Sequence, residues 1–280
     1  MSLHPFKIAG FEGLPVPGDV WLPEHAAAAA PVVVGVHGFK GFRRWGFWPA
    51  IGARLNAAGF AFVGFDTSHN GVGDTGDVFD QPELFEKNTW AAESHDLAAV
   101  VSALRSGSLP ESARIDVVRL ALLGHSRGGG LAIVHAAGDP GVRAVIALSP
   151  ISTVRRLDEA TLASGLRAGY VPIENTRTGQ VMKLGAGALA EIVGRADLAD
   201  IAASHASRLA APLLVVHGDD DATVPAREGR ALAAAAPHGR FVGIPGADHV
   251  LGCRHPWAGP TPAFGTFLAE VRAFLAQSLI

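Results

Sequence analysis

The sequence predicts an α/β fold: a mostly parallel central sheet, helices on both faces, and one long insertion between two core strands. Three observations carry this expectation. Short apolar runs alternate with longer helical patterns along most of the chain, which is the signature of a parallel sheet covered on both sides. The runs at 32–36 and 142–148 are nearly all Val, Ile, Leu and Ala, as expected for strands buried on both faces. The alternation then stops between residues 151 and 211 and resumes at a new apolar run.

Taken in order, residues 16–22 read as the first strand, and the alanine-rich run at 26–30 as a connector into a strand at 32–36. A helix over 48–58 ends at Gly59, where a C′ glycine belongs, and a strand follows at 61–65. Residues 67–88 carry Gly71, Gly73, Gly76 and several acids, and read as a solvated rim loop. A helix over 89–105 takes its cap from Asn88 or Thr89. The strand at 118–123 leads into a helix over 127–137, stopped by Gly138-Asp139-Pro140. After the strand at 142–148, the stretch 151–211 reads as mixed helix and loop forming a cap, because connections of this length usually border a functional site. The core resumes with a strand at 213–216, a helix at 226–236, a strand at 241–244 and a helix at 262–278. The organisation is thus a first core part at 1–150, a cap insertion at 151–211 and a second core part at 212–280.

The chemistry concentrates at strand ends. Gly124-His125-Ser126-Arg127-Gly128-Gly129 directly follows an apolar run and precedes a helix, so Ser126 falls at a nucleophile elbow. Gly124 and Gly128 are required there because side chains would collide with neighbouring backbone. A serine hydroxyl is a weak nucleophile at neutral pH and needs a histidine base oriented by an acid. The run 213–218 ends in Asp219-Asp220-Asp221, and the run 241–244 is followed by Gly246-Ala247-Asp248-His249. His249 is the expected base and Asp221 the expected acid. Asp219 and Asp220 are alternatives, Asp248 is a weaker one, and the acidic turn also has the composition of a cation-binding loop. The strand at 142–148 ends in Ser149-Pro150 with no carboxylate, which favours Asp221.

With Ser126, Asp221 and His249 in that order, each after a strand, the chain resembles the α/β-hydrolases over most of its length. It shares their H-G-x-x-D-x-x-V-P form at His217 to Pro225, where the aspartate is Asp221, and an H-G-F segment at His37-Gly38-Phe39. The esterase-like and dienelactone-hydrolase-like set is most suggested, although true dienelactone hydrolases carry a cysteine where Ser126 stands. The resemblance implies an oxyanion hole made by the N–H groups of Phe39 and Arg127, and acyl transfer with no cofactor or metal. It implies a small-molecule ester as substrate, with a peptidase or amidase, a cofactor-free peroxidase-type reaction and a non-catalytic binding protein as the other classes.

The aromatic cluster Phe39, Phe42, Trp45, Phe47 and Trp48 suggests an apolar wall for an acyl or aryl group, core packing being the equal alternative for Phe47 and Trp48. Lys40, Phe42 and Trp45 are its candidate substrate-binding residues, and Lys40 with Arg43 and Arg44 forms a possible attractor for a carboxylate. Among 12 histidines, His37 and His217 are expected to shape loops and His125 to pack behind the elbow. His69, His95, His135, His205, His238 and His255 are expected to have no catalytic part. The net charge of −3 gives no basic field for nucleic acid. No apolar run approaches the ~20 residues that cross a bilayer, and the first ten residues lack a secretory pattern, so the cytoplasm is the default expectation. Cys253 is the only cysteine, which excludes an internal disulfide; it reads as a packed residue near His249. Oligomeric state does not follow from the sequence.

Overall fold

The computed structural model describes residues 2–24, 28–73, 76–175 and 179–280. Part of the expected connector at 26–30 and part of the glycine-rich loop at 67–88 lie outside the described residues. In chain order the elements are β1 (Ser2–Ala9), β2 (Pro15–Leu22), β3 (Ala30–Val36), α1 (Trp48–Ala57), β4 (Ala61–Phe65), α2 (Pro82–Glu86), α3 (Trp90–Arg105), β5 (Ile115–His125), α4 (Arg127–Gly138) and β6 (Val142–Leu148). There follow α5 (Glu159–Ala168), β7 (Tyr170–Asn175), β8 (Gln180–Gly185), α6 (Ala186–Gly194), α7 (Ala196–Ala199), α8 (Ile201–Ser204), β9 (Leu213–Gly218), α9 (Ala226–Ala235), β10 (Gly239–Ile244) and α10 (Pro262–Leu279).

Eight strands form one sheet in the order β1-β2-β4-β3-β5-β6-β9-β10. β2 is antiparallel to both neighbours, and all pairs from β4 to β10 are parallel. Because successive side chains leave opposite faces of a strand, each core run feeds two apolar layers. Val32, Val34 and Val36 join the layer with Leu97, Val100 and Leu131, while Val33 joins the layer with Ile51, Leu55 and Phe267. The first layer is closed by α3, α4 and α9 and the second by α1 and α10. Each buried aliphatic side chain contributes about 2 kcal/mol, so these continuous apolar runs hold the sheet between its helices.

The seven predicted core strands and five predicted long helices are all present, with boundaries moved by a few residues. Thr89 is the cap of α3, its hydroxyl accepting from Ala92 N at 3.0 Å. Gly59 follows α1 at φ 88°. Two features differ from the sequence reading. β1 is not among the strands expected from the sequence; it carries Pro5, which an edge strand tolerates, and its Phe6 packs over Gly18, where a Cβ would come within 2.1 Å of the ring. The stretch 151–211 contains the antiparallel hairpin β7–β8 as well as helices. No helix among the described residues is long and apolar enough to cross a membrane.

Residues 67–73 are also not the solvated loop that composition suggested. Asp96, buried on α3, accepts from Ser68 N and Ser68 Oγ at 2.7 Å and from Phe11 N at 2.7 Å, and Ser68 Oγ lies 2.8 Å from His69 Nδ1. A buried carboxylate is stable only when its lone pairs are met. Here it holds the loop down and keeps the loop's polar groups out of water.

Candidate active site

Ser126 sits between β5 and α4 at φ 55°, ψ −119°, a conformation that costs a non-glycine residue on the order of 1–3 kcal/mol. The strain is maintained from several sides: Ser126 N donates to Leu148 O at 2.8 Å, and its carbonyl accepts from Gly129 N at 3.0 Å and Ile151 N at 3.2 Å. The surrounding glycines are sterically required. A Cβ on Gly124 would lie 2.1 Å from Gly128 O, and one on Gly128 would lie 2.3 Å from both Val36 O and His37 O.

The loop after β3 packs directly on this turn. A Cβ on Gly38 would come within 3.1 Å of Ser126 Cβ and 3.0 Å of His125 O, so any side chain there would press the loop away from the turn by a few tenths of an ångström. His37 pins the loop: Thr67 N donates to its Nε2 at 3.3 Å, which leaves Nδ1–H to donate to Gly38 O at 2.9 Å. Phe39 follows, and among the described residues its N–H has no protein acceptor. Arg127 is the first residue of α4, where a backbone N–H has no intrahelical partner.

Asp221 and His249 come from the loops after β9 and β10. Asp221 Oδ1 accepts from Thr223 N at 2.9 Å and Val224 N at 2.8 Å, and Oδ2 meets His249 Nδ1 at 2.7 Å. Burial alone raises the Asp221 carboxyl; its contacts with His217 and His249 and the Val224 N–H outweigh this and hold it well below the usual carboxylate range. The other carboxylates are placed differently. Asp219 faces Arg230 at 3.4 Å, and Asp248 Oδ1 accepts from Val250 N and Gly252 N within its own loop.

Ser126, Arg127, Phe39 and His249 line one cavity of about 880 Å³. Phe39, Trp45, Trp48 and Trp90 form an aromatic wall, and Ile151, Val154, Leu157, Ile173, Leu184 and Ile192 from the stretch after β6 form an aliphatic one. That stretch is tied to the core around the cavity. Glu191 accepts from Trp90 N and Ala91 N at the start of α3 at 2.5 and 2.9 Å. Lys40 Nζ donates to Glu174 O at 2.8 Å, and Arg156 donates to Glu228 Oε1 at 2.8 Å and Thr223 O at 2.7 Å.

Of the candidate substrate-binding residues, Lys40 and Trp45 reach the cavity and Phe42 does not. Phe42 is buried against Phe79 and His255, at ring-centre distances of 6.0 and 5.0 Å; it builds the support behind the wall. Phe47 is likewise buried between Trp45 and Trp48, whereas Trp48 reaches the cavity. Arg43 and Arg44 do not join Lys40 as an anion attractor, because both are engaged by Asp19, and Arg43 also by Asp66. The described part of 67–88 lines no part of this cavity. His255 does, stacked beside Trp45 at 6.4 Å. Pairings across 24 or more positions, such as Asp19 with Arg43, leave no local signal in a sequence.

His125 packs against His249 at 4.7 Å between ring centres and its Nε2 contacts His249 O at 3.0 Å. Burial, followed by the neighbouring His249 charge, lowers it to about 3, so it is neutral at physiological pH. Its folded value lies below its unfolded one, near 6.5, so the unfolded chain takes up the extra proton and stability falls as pH drops from about 6.5 toward 3. Replacement of His125 by Gln is expected to flatten this acid-side loss without abolishing it, since His135 and His205 are lowered too. Thermal midpoints of wild type and variant between neutral and mildly acidic pH check this; parallel curves contradict it. Cys253 also lines the cavity, but burial raises its thiol to about 11, so it carries no thiolate that would compete with Ser126.

A strained serine at a strand-to-helix turn and a histidine paired with a buried aspartate are carried on this sheet, and the similarities that follow make the chain an α/β-hydrolase serine esterase, a carboxylic ester hydrolase by class. A family model described as PET hydrolase-like matches residues 4–169, more than half of the chain. The chain belongs to that family. A monoacylglycerol lipase of Mycolicibacterium smegmatis is 28% identical over 82% of this chain and 83% of its own length. The cutinase est2 of Thermobifida alba is 29% identical over 52% of this chain, which spans only 41% of that cutinase. Among solved structures, Est1E from Butyrivibrio proteoclasticus with ferulic acid bound superposes with a TM-score of 0.71 at 21% identity, covering 98% of each chain, and so shares the fold.

Proposed function

We propose that this chain hydrolyses esters of apolar acyl or aryl acids through an acyl-enzyme on Ser126, with His249 as general base, Asp221 as its orienting acid, and the stretch 151–211 as a cap over the acyl pocket. The observation that carries this reading is the pairing of His249 Nδ1 with the buried Asp221 at 2.7 Å, in the cavity that also holds the strained Ser126. With its Nδ1–H held by Asp221, His249 keeps Nε2 unprotonated and able to accept the Ser126 proton.

In the first half-reaction Ser126 Oγ bonds to the ester carbonyl carbon while His249 Nε2 takes the hydroxyl proton. The carbonyl π pair moves to oxygen, and the N–H groups of Phe39 and Arg127 hold that oxyanion, each worth about 3 kcal/mol. Collapse breaks the carbon–alkoxide bond, and His249 returns its proton to the departing alcohol. Water repeats the sequence on the acyl-enzyme, giving the carboxylic acid and free Ser126. Asp221 remains ionised throughout and stabilises the imidazolium formed at each transfer.

The aromatic and aliphatic walls favour an apolar acyl or aryl group, in keeping with relatives named as a lipase and a cutinase. Release of p-nitrophenol from short- and medium-chain acyl esters, alongside release of p-nitroaniline from aminoacyl anilides, tests the reading. The expected result is turnover of the esters, with medium chains preferred, and far slower turnover of the anilides. Comparable rates on anilides reassign the chain to amide hydrolysis.

A further inference from the structure

The loop that carries Asp221 holds a buried imidazole that the mechanism above does not use. His217, the penultimate residue of β9, has a fully buried side chain. Its Nε2 lies 2.9 Å from Val224 O and 3.2 Å from Asp221 Oδ2, the same carboxylate oxygen that meets His249 Nδ1 at 2.7 Å. Its Nδ1 has no partner among the described residues and faces Gly229 of α9, where a Cβ would come within 2.5 Å of it. Only one protonation pattern suits these surroundings: hydrogen on Nε2, toward two oxygens, and a bare Nδ1 against a glycine.

We infer that His217 is a positioning residue for the esterase reaction, acting through Asp221. Its Nε2–H bonds Val224 O, while Val224 N bonds Asp221 Oδ1 at 2.8 Å, so the turn 221–224 is held from both ends. The same N–H dipole faces Oδ2 and shares it with His249. A carboxylate that shares an oxygen with a second imidazole is a weaker base toward His249. His217 therefore fixes the direction of Oδ2 and limits how strongly the His249 imidazolium is stabilised.

Removing the N–H makes Asp221 the stronger base, so His249 holds its proton to higher pH. The acid limb of kcat/KM, where activity appears as His249 deprotonates, then moves to higher pH. The other titratable and charged groups around the pair are His125, whose Nε2 contacts His249 O, Arg156, which donates to Thr223 O of the acid turn and to Glu228 beside Gly229 on α9, and Asp220, Asp248, Cys253 and Arg254, which line the cavity with His249; all are left unchanged in the test.

The inference rests on the Ser126–Asp221–His249 reading, and the experiment separates the two. Full pH profiles of p-nitrophenyl ester hydrolysis are compared for wild type, His217→Leu, His217→Gln, His217→Asn and Asp221→Asn, using active fractions of matched far-ultraviolet circular dichroism. His217→Leu is expected to lose about tenfold to a hundredfold in kcat, the scale of one hydrogen bond to a charged group, with KM little changed and the acid limb moved up. His217→Gln carries an amide N–H near the Nε2 position and restores both rate and limb; His217→Asn, whose amide stops short, behaves like the leucine variant. The inference is overturned when the acid limb stays in place across all three His217 variants, or when Gln and Asn are indistinguishable. If His217→Leu does not fold, the Gln and Asn comparison decides. Full activity in Asp221→Asn overturns the underlying triad reading instead.

Discussion

Replacement of Ser126 by alanine is expected to reduce kcat on p-nitrophenyl esters about a millionfold, the scale reached when the nucleophile of a serine hydrolase is removed. The substitution deletes one oxygen at a position where the backbone is held at φ 55°, ψ −119° by contacts through Ser126 N and O. Those contacts survive in alanine, and so does the backbone strain, so the fold and the cavity persist. Ser126→Gly removes the same hydroxyl and relieves the strain, because glycine enters this region without a Cβ penalty. It is expected to be equally inactive and to melt above the alanine variant. Ester hydrolysis together with calorimetric midpoints of the two variants checks both halves; residual activity near wild type in either variant removes Ser126 from the mechanism.

The second large effect is expected for Asp221→Asn, a loss of about ten-thousandfold in kcat. The asparagine keeps an oxygen for Thr223 N and Val224 N, which now bond Oδ1 at 2.9 and 2.8 Å, and this fixes which way the amide turns. Its NH2 then replaces Oδ2 and presents hydrogens to His249 Nδ1 and to His217 Nε2. His249 must accept at Nδ1 and carry its proton on Nε2, where it cannot take the proton of Ser126; His217 Nε2–H meets another donor in place of an acceptor. The stability difference between wild type and variant has a defined pH window. The Asp221 carboxyl is held below its ordinary value in the folded state, so its ionised form contributes stability above its unfolded value near 3.9, and that contribution is lost as pH falls through the lower folded value. Urea midpoints of the two proteins are therefore expected to differ most at neutral pH and to converge in strong acid, while kcat for the variant stays low across the range. A variant that retains more than a tenth of the wild-type rate contradicts the assignment.

Much of this site was legible because its signals are local. The run into Ser126, the glycines on either side of it and the helix behind it are consecutive residues, and the collision of a Cβ on Gly124 with Gly128 O at 2.1 Å is a constraint within a single turn. Asp221 stands just beyond the fully buried run of β9 and His249 just beyond the apolar end of the partly exposed β10, so their position at strand ends can be read without knowing which strands pair. The same holds for the core: residues 32–36 and 144–148 are buried throughout, and burial on both faces appears in a sequence as an unbroken apolar run.

What escaped the sequence depends on partners distant along the chain. β1 lies at the sheet edge, where proline is tolerated and half the side chains face water, so it shows no apolar run. Arg43 and Arg44 resemble free cations until the sheet brings Asp19 beneath them, and the acid-rich loop looks solvated until Asp96 of α3 takes its buried polar groups. Phe42 and Trp45, three residues apart, look alike in composition, yet one supports the aromatic wall and the other lines the cavity. By itself the sequence determined the order of the seven core strands and five long helices, the strained turn at Ser126 and the identity of the residues poised at strand ends, because steric exclusion and burial act on neighbouring residues. Only the tertiary structure decided which charges pair, which aromatics face the cavity and that His217 shares an oxygen with His249, because Coulomb contacts and hydrogen bonds depend on distances that strand pairing and helix packing create.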